Sequence, residues 1–245
     1  SSNGISQELL MFVPLESPVK IMKLRLRNRS GRKRRLSLTA YLELVLGTQR
    51  ANSAPFVITE VDPETGAIFA SNPYNNEFAG RITFAATGET NYTATCDRRE
   101  FLGRNGSPAR PAALRRTSLS GRIGAGLDSC IAIQSVFELA PDELREILVF
   151  VGESANVDQA REIVSSYRQP SVVNAAFEQV IAYWDELLGS LEISTPDPAM
   201  DLIVNRWLLY QTLSCRLWAR SAFYQSSGAF GFRDQLQDVM ALSYS

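Results

Sequence analysis

"KLRLRNRSGRKRRLSLTAYLELVLG", residues 23–47, decides the character of the chain. On its first arm Leu24 and Leu26 alternate with Lys23, Arg25 and Arg27. On its second, Leu36, Leu38, Ala40, Leu42, Leu44 and Leu46 alternate with mostly polar partners. Successive side chains of a strand point to opposite faces, so this period of two means strands with one buried face. With the turn-forming "NRSGRK" between the arms, the pattern predicts a β-hairpin.

Similar short strands are expected at 57–61, 67–70, 81–86, 91–96, 130–139 and 146–151. Turn clusters separate several of them: "DPETG", "SNPYNN" and "ATGETN". Many strands with little helix predict a β-sandwich over residues 1–152. Residues 97–127 are rich in Gly, Pro and Arg and read as one long loop, of a kind that often carries function.

The pattern changes after Gly152. Asn156, with Gln159 three residues on, forms a helix-start signal close to a capping box. In "SVVNAAFEQVIAYWDELLG", Val173, Phe177, Val180, Trp184 and Leu187 share one helical face, and Gly189 marks a stop. Residues 153–195 are thus expected to be a helical linker. Asp197 and Pro198 then suit the cap and first position of a new helix. That helix is apolar nearly all round, including Ile203, Trp207, Leu208, Leu209, Leu213, Leu217 and Trp218, as in a helix buried on several sides. Residues 196–245 therefore read as the start of a helical domain whose partner helices lie further along the polypeptide or in another chain.

The 245 residues carry a net charge of −1, which argues against a general nucleic-acid binder. No apolar run is long enough to span a membrane, and the N-terminus shows no signal-peptide pattern; a cytoplasmic location is expected. Cys96, Cys130 and Cys215 form no CxxC pair and fit small buried hydrophobes in a reduced setting. With no histidine in the chain, Ser-His-Asp and Cys-His catalysis and His-based zinc sites are excluded. Acid–base work would fall to Asp or Glu, and anion binding to Arg.

Lys20 to Arg35 holds nine basic residues and no acid. Its alternation with leucines favours a solvated strand face over a nucleic-acid patch, and it lacks aromatics for base stacking. "GRNGSPARP" and "GRIGAGLD" match no Walker loop or dinucleotide fingerprint and read as turns in preference to a phosphate cradle. "YQSSGAFGFRDQLQD" is denser. Gly228 and Gly231 precede a helix start where Arg233, Asp234, Gln235, Gln237 and Asp238 crowd together. Arg233 and Gln237 share one helical face, and Asp234 and Asp238 the adjoining one. Carboxylates accept from sugar hydroxyls while guanidinium and amide groups donate, and nearby Phe and Tyr rings can cover sugar C–H groups. An Arg–Asp pair that merely caps a helix is the plainer alternative.

"YQSSGAFGFRDQLQDVMAL" resembles the sugar-site motif of glycoside hydrolase family 94, the inverting β-glucoside phosphorylases, and more closely the phosphorylase-like region of cyclic β-1,2-glucan synthases. "SNPYNNEFAGR", "FLGRNGS" and "GAGLDSC" resemble that region's β-sandwich, and "NRWLLYQTLSCRLWARSAFYQ" its first barrel helix. The resemblance covers nearly the whole chain. It implies a mixed β and α fold: an N-terminal β-sandwich, a helical linker and the first helices of an incomplete (α/α)6 barrel. It also implies inverting phosphorolysis of a β-1,2-glucan, with inorganic phosphate as co-substrate and no metal or organic cofactor. The implied partners are the glucan and the remainder of the parent polypeptide or a complementary chain, the parent being anchored in the bacterial inner membrane. Carried over, Arg233 and Asp238 hold the glucosyl unit before the scissile bond, with Asp234 and Gln237 beside them. The family's general acid lies in an Asp-Trp-Asn-Asp loop that this sequence lacks, so the chain alone is expected to be inactive. A non-catalytic carbohydrate-binding or assembly module is the alternative.

Overall fold

A computed structural model describes residues 3–218 together with 236, 237, 239, 240 and 242. They fall in two compact units, residues 1–177 and 178–245. Nine strands build the first: β1 (Ile5–Phe12), β2 (Val19–Asn28), β3 (Arg34–Glu43), β4 (Ile58–Val61), β5 (Ile68–Ser71), β6 (Ile82–Thr87), β7 (Thr93–Asp97), β8 (Ser129–Leu139) and β9 (Leu144–Ser154). The helices are α1 (Arg50–Ser53), α2 (Arg98–Leu102), α3 (Val157–Tyr167), α4 (Pro170–Leu188), α5 (Pro198–Leu202) and α6 (Leu208–Thr212).

All strand pairs are antiparallel. One sheet runs β1-β2-β9-β6-β5-β4 and the other β3-β8-β7. The expected hairpin at 23–47 is therefore not formed. β2 pairs with β1 and β9, and β3 with β8 in the opposite sheet. The leucine rows meet across the sandwich: Leu24 and Leu26 share a core cluster with Leu36, Leu38, Phe137, Leu139 and Ile147. Burial of apolar rows between two sheets is what holds such a sandwich.

The corner at residues 28–33 is built around Asn28, which is fully buried on the leucine face of β2. Its Nδ2 donates to the carbonyls of Arg32 (2.8 Å), Leu139 (3.0 Å) and Ala140 (3.0 Å). Its Oδ1 accepts from the backbone N–H of Ser30 at 3.0 Å and from the Ser30 hydroxyl at 2.6 Å. The β8-to-β9 connection also crosses between sheets, and backbone bonds between Asn28 and residues 142 and 143 stitch the two crossings together.

The outer face of the larger sheet is covered by helix. Ile21, Phe84, Phe150, Val164 and Val173 are buried, and the Phe12 and Phe177 rings lie 5.2 Å apart. Asn156 caps α3 as expected, its Oδ1 accepting from Gln159 N–H at 2.9 Å, while Gln159 Oε1 accepts from Ala155 N–H at 2.8 Å. Arg161 of α3 reaches buried Asp62 between β4 and β5 at 2.7 and 2.9 Å. Gly152, opposite Val19 and Phe84, has no room for a side chain: a Cβ would stand 2.5 Å from the Phe84 ring and 2.6 Å from the Pro18 carbonyl.

Candidate carbohydrate site

The second unit leads into the C-terminal motif. Asp197 caps α5, its carboxylate accepting from Ala199 N–H at 2.9 Å, with Pro198 in the first turn. Upstream, Asp201 accepts from the N–H and hydroxyl of Thr195, both at 2.8 Å. Asn205 exchanges two bonds with the backbone of Ile193, at 2.7 and 3.0 Å. The extended stretch before the helix is thus pinned to it. From Pro198 to Trp218 the chain stays helical, with wider π turns at Ile203–Trp207 and Leu213–Trp218. Trp184 meets the rings of Tyr210 at 5.2 Å and Trp218 at 5.3 Å, and Asp185 pairs with Arg206 at 2.6 Å.

Expected to be buried on several sides, this helix exposes much of its apolar surface in the described chain. Leu202 is 74 % exposed and Trp207 52 %, and Ile203, Leu208, Tyr210 and Trp218 are exposed as well. A cavity of about 530 Å³ lies among Leu188, Leu202, Ile203, Arg206, Trp207 and Tyr210. Sugar pockets need several convergent polar groups. Here Arg206 is already engaged by Asp185, and the surface suits apolar packing better than a hydroxyl-rich ligand.

Of the expected sugar-binding residues, Gln237 is described, with an exposed side chain. Arg233, Asp234 and Asp238 lie outside the described residues, as does the glycine-rich approach through Gly228 and Gly231.

Residues 97–127, expected to be an irregular loop, are corrected by the structure. They contain α2 and a 3-10 turn at Ala112–Arg115. Phe101, Leu102, Ala113 and Leu119 are buried with Ala132, and the Tyr41 ring stacks on Phe101 at 4.6 Å. Asp97 caps α2, accepting from Arg99 N–H at 3.0 Å, and pairs with Arg122 at 2.8 Å. Asp128 pairs with Arg50 at 2.6 Å and Arg98 at 3.5 Å, and Arg98 also reaches Glu43 at 2.8 Å. Glu100 accepts from Thr95 Oγ1 at 2.7 Å and from Ser120 and Arg116.

These pairings set the protonation states. The bond from Arg98 holds Glu43 below the usual carboxylate range. Burial alone would raise Asp62, Glu100 and Asp128. The bonds from Arg161 and Thr65 to Asp62, from Ser120, Thr95 and Arg116 to Glu100, and from Arg50 and Arg98 to Asp128 outweigh it and move all three down. Lys33 does the same to Glu138. A general acid at neutral pH needs the opposite displacement. These perturbed carboxylates are therefore anchors of the fold, unsuited to donate a proton. Burial pushes the Cys96 thiol up to about 11 and raises Cys130 too; both are free and buried, as small apolar side chains would be. Cys215 lies outside the described side chains.

The basic run also divides. Lys23 and Arg25 pair with Glu146 at 3.5 and 3.1 Å, and Lys33 with Glu138. Arg27, Arg29, Arg32 and Arg35 are exposed, as a solvated strand face and turn require. Among the described residues no cluster of His, Cys, Asp or Glu is arranged to hold a metal, and no helix is long and apolar enough to cross a membrane.

The sequence matches two domain families, "Glycosyl hydrolase 94, supersandwich domain" over residues 1–170 and "Glycosyl hydrolase 94 superfamily, catalytic domain" over residues 183–245. It is 41% identical over 225 residues to the cyclic beta-(1,2)-glucan synthase NdvB of Rhizobium meliloti (strain 1021), covering 91% of this chain and 8% of that protein. It is 24% identical over 251 residues to the N,N'-diacetylchitobiose phosphorylase of Vibrio furnissii, covering 99% of this chain and 31% of that one. It is 27% identical over 245 residues to the solabiose phosphorylase of Paenibacillus borealis, covering 98% of this chain and 31% of that one. The chain thus spans less than a third of the length of each of these relatives.

Proposed function

The chain belongs to the glycosyl hydrolase 94 family, and on that premise we propose that it forms part of a cyclic β-1,2-glucan synthase region acting on β-1,2-glucan by inverting phosphorolysis. In this reading residues 1–152 are the sandwich, 153–195 the linker and 196–245 the start of an (α/α)6 catalytic barrel. Inorganic phosphate attacks the anomeric carbon of the terminal glucosyl unit. The C1–O bond breaks, and a carboxylic acid supplied elsewhere in the parent protonates the leaving oxygen. The product is α-glucose 1-phosphate plus a glucan one unit shorter. Phosphate replaces the water of an ordinary inverting hydrolase, so one protein carboxyl suffices.

Arg233 and Asp238 orient the glucosyl unit, the guanidinium donating to ring hydroxyls and the carboxylate accepting from them. Asp234 and Gln237 support that pair. No organic or metal cofactor enters the scheme, and its setting is cytoplasmic. The identity to a cyclic β-1,2-glucan synthase across 91% of the chain carries the reading. The depressed carboxylates of the sandwich agree with an acid supplied from elsewhere in the parent.

The experiment is an affinity measurement on the full-length parent. Arg233→Ala is expected to lower affinity for β-1,2-gluco-oligosaccharides with an unchanged melting temperature. Retained affinity with a large loss of stability would instead support the second reading, an assembly module in which Arg233 only positions a helix. That reading is favoured by the apolar surface around Leu202 and Trp207.

A further inference from the structure

The loop after α2, "LGRNGSPARPAALR" (residues 102–115), contains the "GRNGSPARP" stretch whose sequence favours turns over a phosphate cradle. Folded, it walls a pocket of about 350 Å³ whose polar lining includes Arg104, Asn105, Ser107, Arg110 and Arg115 and, among the described residues, no acidic side chain. All three arginines are exposed, and among the described residues none has a hydrogen-bond or ion-pair partner through its guanidinium. This contrasts with the neighbouring arginines 50, 98, 116 and 122, each of which is paired with a carboxylate.

The backbone is built to hold this shape. Gly103 has φ +83°, and a Cβ on it would stand 2.6 Å from the Ala112 Cβ. Asn105 has φ +59°, and a Cβ on Gly106 would overlap the Leu102 carbonyl oxygen at 1.9 Å. Buried Leu102 and Ala113 fix both ends of the loop in the small core beneath. Among the described residues, the N–H groups of Arg104 and Asn105 have no backbone acceptor. Three guanidiniums, an amide, a hydroxyl and free backbone donors around one hollow present a positive field with donors to spare. That is the chemistry that recognises a tetrahedral oxyanion.

We propose that the pocket between α2 and the Ala112–Arg115 turn binds a phosphoryl group, as inorganic phosphate or as the ester end of a sugar phosphate. The site is separate in sequence from the Arg233–Asp238 motif, and its existence does not depend on the glucan reading.

The test is a titration of the 245-residue chain, at constant ionic strength, with inorganic phosphate in one arm and α-glucose 1-phosphate in the other. Amide resonances of residues 103–107 and arginine Nε resonances report binding. Saturable shifts confined to this loop are expected. Each of Arg104→Gln, Arg110→Gln and Arg115→Gln should weaken binding roughly tenfold, the loss of one charge-assisted contact. Arg27→Gln, on β2 of the other sheet, should leave binding unchanged. Equal affinity in the two arms identifies the phosphoryl group alone as ligand, and tighter binding of the ester shows that the sugar is also held. Absence of saturable shifts in both arms, or shifts that persist in the folded triple variant, would overturn the proposal.

Discussion

The side-chain amide of Asn28, at the end of β2 in one sheet, donates to the carbonyl of Leu139, at the end of β8 in the other, over 3.0 Å. One buried residue thereby ties the β2-to-β3 crossing between the sheets to the β8-to-β9 crossing. Asn28→Ala removes the side-chain amide donor from the Leu139 and Ala140 carbonyls and empties a packed corner. We expect it to destabilise the chain by about 3 kcal/mol, seen as a lower urea midpoint with an unchanged slope. Asn28→Asp should cost at least as much, since a carboxylate would face those carbonyls. A midpoint within error of the parent's would refute the clamp.

Asp62 and Arg161 join the sheet to its covering helix. Breaking a buried pair on one side costs about 3 kcal/mol or more, so Asp62→Asn should lower stability clearly at pH 7. Asp62 titrates below its unfolded value of about 3.9. Its contribution is therefore fully present above that value and is lost as pH falls through the lower, folded pKa. Denaturation curves of the two proteins should differ most near neutrality and converge below about pH 4.

Thiol chemistry offers a simple probe of the core. Only the thiolate reacts readily, and burial raises both Cys96 and Cys130. In a Cys215→Ser background, neither should label with a thiol reagent at pH 8 until urea unfolds the chain. Rapid labelling of the native protein would mean that the sandwich opens locally.

Leu202 bears on the proposed barrel. At 74 % exposure it contributes little here, and Leu202→Ser should change the stability of this chain by no more than about 0.5 kcal/mol. In the longer parent, where the proposed barrel covers that face, the same change should cost about 2 kcal/mol, as expected for burying a hydroxyl in place of a leucine. Equal, small effects in both would argue that nothing packs there.

The leucine alternation of residues 23–47 made the strands legible but not their partners. A period of two says which face is buried, and it fits a hairpin neighbour and an opposing sheet equally well. Asn28, a polar residue in the register of Leu24 and Leu26, was the available sign that the chain turns a corner there. The 97–127 segment hides a helix because its Gly, Pro and Arg content masks the spacing of Asp97 and Glu100 before Phe101 and Leu102, a helix-start signal. The helix caps at Asn156 and Asp197 were readable because capping is a local hydrogen bond. The ion network of Arg50, Arg98 and Asp128 was not, since it joins residues 78 positions apart. The Arg233–Asp238 cluster was visible as a dense polar stretch after two glycines, and four of its five residues, Arg233, Asp234, Gln235 and Asp238, lie outside the described chain.

The most direct measurement is release of α-glucose 1-phosphate from linear β-1,2-glucan and inorganic phosphate, by the full-length parent, its Arg233→Ala variant and the 245-residue chain. The account predicts release by the parent, a loss of about a hundredfold or more in a folded Arg233→Ala variant, and none from this chain. Undiminished release by the variant, or any release by the chain alone, would contradict it.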